Sequence, residues 1–186
     1  MNKIAIVTGG AGFIGSHCVD LLLKNNYKVR VLDNLVGGSE KNLSHLKKSN
    51  IEFEKIDIRS LSPNNKIFKD VELVFHFAGI GDIVPSINNP SDYMSVNVQG
   101  TVNVLECCRY WQNINKFIYA ASSSCYGKAT IPTNEDNEVN PLYPYALSKY
   151  SGEQASLHWH KVYNMPINSI RIFNAYGIRS RTSGAY

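Results

Sequence analysis

The first fifteen residues, Met-Asn-Lys-Ile-Ala-Ile-Val-Thr-Gly-Gly-Ala-Gly-Phe-Ile-Gly, set a short apolar run directly against glycines at positions 9, 12 and 15. With Val19, Leu22 and Leu23 striping the residues from Ser16 to Lys24, the pattern reads as a strand that turns sharply into a helix. Gly9 permits the tight turn, Gly12 leaves room for a ligand to approach the backbone, and Gly15 lets the helix pack closely on the strand. The helix N-terminus offers free N–H groups, so such a turn can hold a pyrophosphate. A glycine-rich turn without a ligand has the same composition, and the flanking strand and helix favour the pyrophosphate reading.

At 186 residues, with 44% hydrophobic and 18% charged residues, the chain is long enough for one α/β domain with its own core. No apolar stretch approaches the roughly 20 residues that cross a bilayer, and the N-terminus lacks the charged and hydrophobic regions of a signal peptide. A cytoplasmic protein with no membrane partner is therefore expected. Cys18, Cys107, Cys108 and Cys125 show no CxxC spacing and fall in or beside expected buried elements, which favours reduced structural thiols over a metal or disulfide site. The net charge of +4 is mild and scattered; Lys47 and Lys48 read as a solvated face, and no nucleic-acid partner is expected.

Strand-like runs recur at Ile4–Thr8, Lys28–Leu32, Ile51–Lys55, Leu73–Phe77, Lys116–Ala120 and Ile167–Ile172, separated by helix-compatible or polar segments. This alternation implies a doubly wound parallel sheet with helices on both faces, joined by right-handed crossovers. Two long helices are expected, from about Asp92 to Trp111 and from about Tyr145 to Tyr163. The residues from Tyr126 to Pro144 form a long polar loop, of a length that is usually functional or disordered. After Ile172 the sequence runs on without a closing helix or strand, as if residues 1–186 were one domain cut before a further lobe.

Asp33 lies 18 residues after Gly15, at the end of the second strand, where a carboxylate accepts hydrogen bonds from an adenosine ribose and repels a 2′-phosphate. NAD is thus favoured over NADP; a capping or turn aspartate is the competing reading. Asp57, after the third strand, is placed to contact an adenine amino group. Phe77, Ala78 and Gly79 would let the middle of a cofactor lie against backbone, and His76 reads as a packed side chain. Tyr145 and Lys149 are four apart and share one helical face. That spacing is common, but Pro144 starts the helix, and the run Ala120-Ala121-Ser122-Ser123-Ser124-Cys125-Tyr126-Gly127 sets hydroxyls just past the fifth strand, at the edge where such sheets bind ligands. A phenol of pKa about 10 is a poor base, but a nearby ammonium and a cationic nicotinamide stabilise phenolate, so Tyr145 can take a proton.

Five segments together resemble one family: Thr8-Gly9-Gly10-Ala11-Gly12-Phe13-Ile14-Gly15; Leu32-Asp33-Asn34; the serine run before Tyr126-Gly127; Tyr143-Pro144-Tyr145-Ala146-Leu147-Ser148-Lys149; and Arg171-Ile172-Phe173-Asn174-Ala175-Tyr176-Gly177. They look like the extended short-chain dehydrogenase/reductase family, most of all its NAD-dependent nucleotide-sugar epimerases, including the UDP-glucose and UDP-N-acetylglucosamine 4-epimerases. The resemblance implies a Rossmann fold whose substrate lobe is largely missing, and a catalytic set of Ser122, Tyr145 and Lys149. It implies NAD contacts at Gly9, Gly12, Phe13, Ile14, Gly15, Asp33, Asn34, Asp57, Ile58, Phe77, Ala78, Gly79, Asn97, Tyr145, Lys149 and Phe173. Ser123, Ser124 and Asn174 would touch a UDP-sugar. For Asn97 a structural side chain bridging helix and strand backbones is the equal alternative. Related dehydratases carry an Asp-Glu pair where Ser123 and Ser124 stand, so simple epimerisation is favoured over elimination. The family's habit of dimerising through the two long helices makes a homodimer the expectation. A truncated cofactor-binding module of little activity, or a reductase or dehydratase of the same superfamily, are the rival readings. The stretch from Ile80 to Ser86 matches no pattern of the family.

Overall fold

The computed structural model describes residues 3–46 and 50–180; Lys47, Lys48 and the residues after Ser180 lie outside them. Six strands, β1 (Ile4–Thr8), β2 (Lys28–Asp33), β3 (Ile51–Lys55), β4 (Leu73–His76), β5 (Lys116–Ser122) and β6 (Ile167–Ile172), form one sheet in the order β3-β2-β1-β4-β5-β6. Every pairing is parallel. Because β1 pairs with β2 on one side and β4 on the other, successive crossovers run in opposite directions from the centre and open a crevice beyond the carboxyl ends of β1 and β4.

Alternation along the strands feeds two cores. Ala5 and Val7 of β1 join Val29 and Val31 of β2 against Val19 and Leu22 of α1 (Phe13–Lys24). Ile6 and Leu32 face the other way, into the larger cluster with Phe68, Val74, Leu105, Phe117 and Tyr119. A parallel strand covered on both faces needs apolar residues at every position, which explains the unbroken run Ile4 to Val7.

The second core is roofed by α2 (Ile83–Asn88), α3 (Pro90–Met94), a π-helical turn at Ser95–Gly100, α4 (Thr101–Trp111) and α5 (Pro144–Tyr163). The sequence suggested one regular helix from about Asp92 to Trp111; the helical run instead starts at Pro90 and widens around Asn97. The widening sits where the helix meets the Ile58 side chain and the segment after β4. A Cβ at Gly100 would stand 2.6 Å from Ile58 Cδ1, and the Asn97 amide reaches out to bond the segment after β4. Strand ends differ slightly from expectation too: β2 continues to Asp33, β5 to Ser122, and β4 stops at His76.

Close packing of α1 on β1 rests on the glycine turn. Gly9 adopts φ +68°, and a Cβ there would lie 2.7 Å from the Ala78 nitrogen; a Cβ at Gly15 would drive into the Gly9 carbonyl oxygen and stand 2.9 Å from Gly10 Cα. At Gly81, by contrast, nothing lies within 4 Å. Gly15→Ala should therefore lower the unfolding free energy by about 1–3 kcal/mol through overpacking, and Gly81→Ala by no more than about 0.5 kcal/mol. Urea denaturation measures both; equal effects would contradict a helix pressed onto its strand at Gly15.

Candidate active site

The carboxyl edge of the sheet opens into a cleft of about 1290 Å³, larger than the roughly 300–1,000 Å³ that suits a single small ligand. At its floor is the N-terminus of α1. Gly12 caps the helix without a side-chain hydrogen bond and no acidic residue occupies the first turn, so the N–H groups there meet no acidic side chain of the helix's own first turn. Beside them the Asp33 carboxylate, at the end of β2, accepts from the Ala11 N–H at 3.0 Å and the Leu35 N–H at 2.8 Å. Gly38 closes over it; a Cβ at that position would come within 2.8 Å of Oδ2. Asp57 is fixed further along, held by Arg59 and by the Asn34 amide, and the Arg59 hydrogen bonds keep its pKa low, near 2.

Between β1 and β4 a line of hydrogen bonds has its direction set by its ends. The Ala78 N–H donates to Thr8 Oγ1 (3.2 Å), and that hydroxyl donates to His76 Nδ1 (2.6 Å). The His76 Nε2–H then donates to Thr101 Oγ1 (2.9 Å), which donates to the Asn97 carbonyl oxygen (2.7 Å). A backbone donor at one end and a carbonyl at the other leave the imidazole one neutral tautomer. Burial, with the Lys149 cation nearby, pushes its pKa down to about 3. His76 is thus the packed residue the sequence suggested.

The serine turn follows β5. Ser122 Oγ accepts from the Ser124 N–H at 3.2 Å and shares a 2.8 Å hydrogen bond with Ser124 Oγ. Facing it, Tyr145 Oη lies 3.3 Å from Ser122 Oγ. α5 can bring Tyr145 this close because Gly152 packs where a Cβ would meet the Asn97 carbonyl oxygen at 2.6 Å. One turn along the helix, Lys149 is buried with its ammonium 4.7 Å from the centre of the Tyr119 ring. Burial lowers its pKa to about 8, opposed by the negative charge of Glu153. Its Nζ sits beside Gly79, where an added Cβ would be 3.6 Å away.

Behind this wall lies an ion pair that no sequence pattern announced. Glu153 of α5 is 3% exposed and accepts from Arg171 of β6 at 3.1 Å and from Ser169 Oγ at 2.7 Å. Arg171 also donates to Tyr126 Oη at 2.7 Å, and the Tyr126 ring stacks on Phe173.

Every site residue suggested by the sequence borders this one cleft except Asn97. The Asn97 side chain is spent on structure: it donates to the Ile80 carbonyl oxygen and to Ser148 Oγ, and accepts from the Ile80 N–H. It shapes the wall at Gly79 without facing the cleft. Sequence reasoning missed Gly38, Tyr126 and Tyr93. Tyr93 meets the Tyr145 ring edge to face with centroids 6.3 Å apart and donates to the Gly81 carbonyl oxygen at 2.6 Å. An aromatic four residues before Asn97, on the same helical stripe, was the available signal.

The chain belongs to the NAD dependent epimerase/dehydratase family, whose model matches residues 5–185. A Methanocaldococcus jannaschii protein named "Putative UDP-glucose 4-epimerase" is 42% identical over 182 residues, covering 96% of this chain and 58% of that protein. The solved UDP-N-acetylglucosamine 4-epimerase of Methanobrevibacter ruminantium, in complex with UDP-N-acetylmuramic acid, superposes with a TM-score of 0.91 at 33% identity over 100% of this chain and 60% of its own. The UDP-glucuronic acid 4-epimerase of Bacillus cereus, in complex with UDP-glucuronic acid and NAD, gives 0.90 at 34% identity, over 96% and 59%. The chain thus spans somewhat under two thirds of each of these three relatives.

The Glu153–Arg171 pair joins α5 to β6 beneath the serine turn. Glu153→Leu would leave the Arg171 guanidinium, only 20% exposed, without its carboxylate, and should cost about 3 kcal/mol in urea denaturation. Wild-type stability in that variant would show that the pair holds nothing.

Proposed function

We propose that the cleft binds NAD and that the chain carries the oxidising half of a nucleotide-sugar 4-epimerase acting on a UDP-hexose. The observation that carries this reading is the Tyr145 hydroxyl 3.3 Å from Ser122 Oγ, with the buried Lys149 ammonium a turn away on the same helix face. The residues fit the cofactor: the α1 terminus at Gly12, Phe13 and Ile14, with no side-chain cap and no acidic residue in its first turn, suits a pyrophosphate. Asp33 with Asn34 suits the adenosine ribose, Asp57 with Ile58 the adenine, Phe77 to Gly79 the central stretch, and Phe173 the nicotinamide. Bound NAD supplies reversible oxidation of an alcohol carbon.

The chain's own part is proton handling and orientation. Tyr145 takes the proton of the sugar 4-hydroxyl while Ser122 holds that hydroxyl, and the same proton goes back when the alcohol is restored. Lys149 favours the phenolate by its charge and anchors the nicotinamide ribose. Ser123, Ser124 and Asn174 line the sugar-nucleotide end. With hydroxyls in place of carboxyl groups at 123 and 124, elimination of water has no acid–base pair, so restoration of the alcohol is the favoured outcome. The exposed Tyr110, Leu157 and Tyr163 on α4 and α5 support pairing of two copies through these helices.

Tyr145→Phe should lower turnover at least about 100-fold while NAD affinity stays near wild type. Incubation with NAD and UDP-sugars measures both; full activity would remove Tyr145 from its role, and stoichiometric consumption of cofactor would favour a reductase. Because the Lys149 pKa is held near 8, its charge is lost as pH rises through that value. Turnover should fall on that alkaline limb, and a rate flat to about pH 10 would contradict the role of the ammonium.

A further inference from the structure

Tyr119 of β5 is fully buried and does not line the cleft, yet it makes two contacts with a single lysine that does. Its ring centre lies 4.7 Å from the Lys149 ammonium, and its Oη donates to the Lys149 backbone carbonyl oxygen at 3.1 Å. One aromatic side chain therefore holds both ends of the same residue. The hydroxyl reaches α5 because Gly152 has no side chain; a Cβ there would collide with Tyr119 Oη. The sheet fixes the ring in turn, since Tyr119 pairs in register with His76 of β4 and their ring centroids lie 5.8 Å apart. The titratable groups around the ammonium are His76 from β4, Glu153 and Tyr145 from α5, and Tyr119 itself from β5. Burial keeps His76 neutral and pushes the Tyr119 phenol up, so that it too keeps its proton, while Glu153 is paired with Arg171. A ring face attracts a cation through its quadrupole, most strongly where water is excluded, and because it carries no net charge it leaves the cation's charge uncancelled.

We infer that Tyr119 is a positioning residue: its ring holds the Lys149 ammonium at the Gly79 wall, one helical turn from Tyr145, while its hydroxyl fixes the backbone of the same lysine. Burial works against the lysine's charge, and the ring face offsets part of that cost. Tyr119 acts only through Lys149, and the inference rests on the reading that the Lys149 charge favours the Tyr145 phenolate.

The test varies the charge distribution of the ring at nearly constant volume. Tyr119→Phe keeps the ring and serves as the reference; phenylalanine analogues at position 119 with successively more ring fluorines draw electron density from its face step by step. NMR of the full chain labelled at the lysine Cε follows the Lys149 titration, assigned by its loss in Lys149→Met. The midpoint, near pH 8 in the wild type, should fall with each fluorine, because a weaker ring face stabilises the ammonium less. Across the series the fall should reach at least about half a pH unit, and the alkaline limb of turnover should move with it. A midpoint indifferent to fluorination overturns this inference alone, since a side chain that only fills space gives that result. A limb that stays fixed while the midpoint falls, or a wild type with no turnover at any pH, overturns the proposed function and the positioning role with it.

Discussion

The hydrogen-bonded line from Ala78 through Thr8, His76 and Thr101 to Asn97 is the constraint on which the working edge of this molecule depends. It crosses the sheet where strand order reverses, and it fastens β1 to β4 and both to the widened turn of the roofing helix. A buried, neutral histidine can satisfy a donor on one side and an acceptor on the other, which no aliphatic residue of similar volume could do. The remaining groups of Asn97 then fix Ile80 and α5, so one polar chain sets the position of the Gly79 wall and of the helix that bears Tyr145 and Lys149.

The same economy governs charge. Among the described residues no ion pair holds the buried Lys149, and Glu153, the acid of α5, is paired with Arg171. The ammonium therefore rests over the Tyr119 ring with a lowered pKa, easily recruited to stabilise a neighbouring negative charge.

Much of this was legible in residues 1–186. Unbroken apolar runs require a sheet covered on both faces, and glycines 9, 12 and 15 can sit together only at a strand-to-helix turn. Asp33, the serine run and the Tyr145–Lys149 pair could be placed because each lies a short, fixed distance from the end of a strand or the start of a helix. For Asn97 the sequence leaves cofactor contact and a structural bridge as equal readings, and its amide bonds the Ile80 backbone and Ser148 Oγ; a sequence names the residue but not which way it faces. The π-helical turn, the Glu153–Arg171 pair and the contact of Tyr93 with Tyr145 depend on packing between segments far apart in the chain, and period or spacing does not encode them.

The proposal that this cleft takes part in oxidising a UDP-hexose at C4 and restoring the alcohol is tested most directly by isotope. A UDP-hexose deuterated at C4 should be converted to its 4-epimer with the label still at C4, and no label in solvent or in free nicotinamide, because the hydrogen leaves and returns within one bound complex. Loss of the label to water, or its accumulation on released cofactor, would contradict the account.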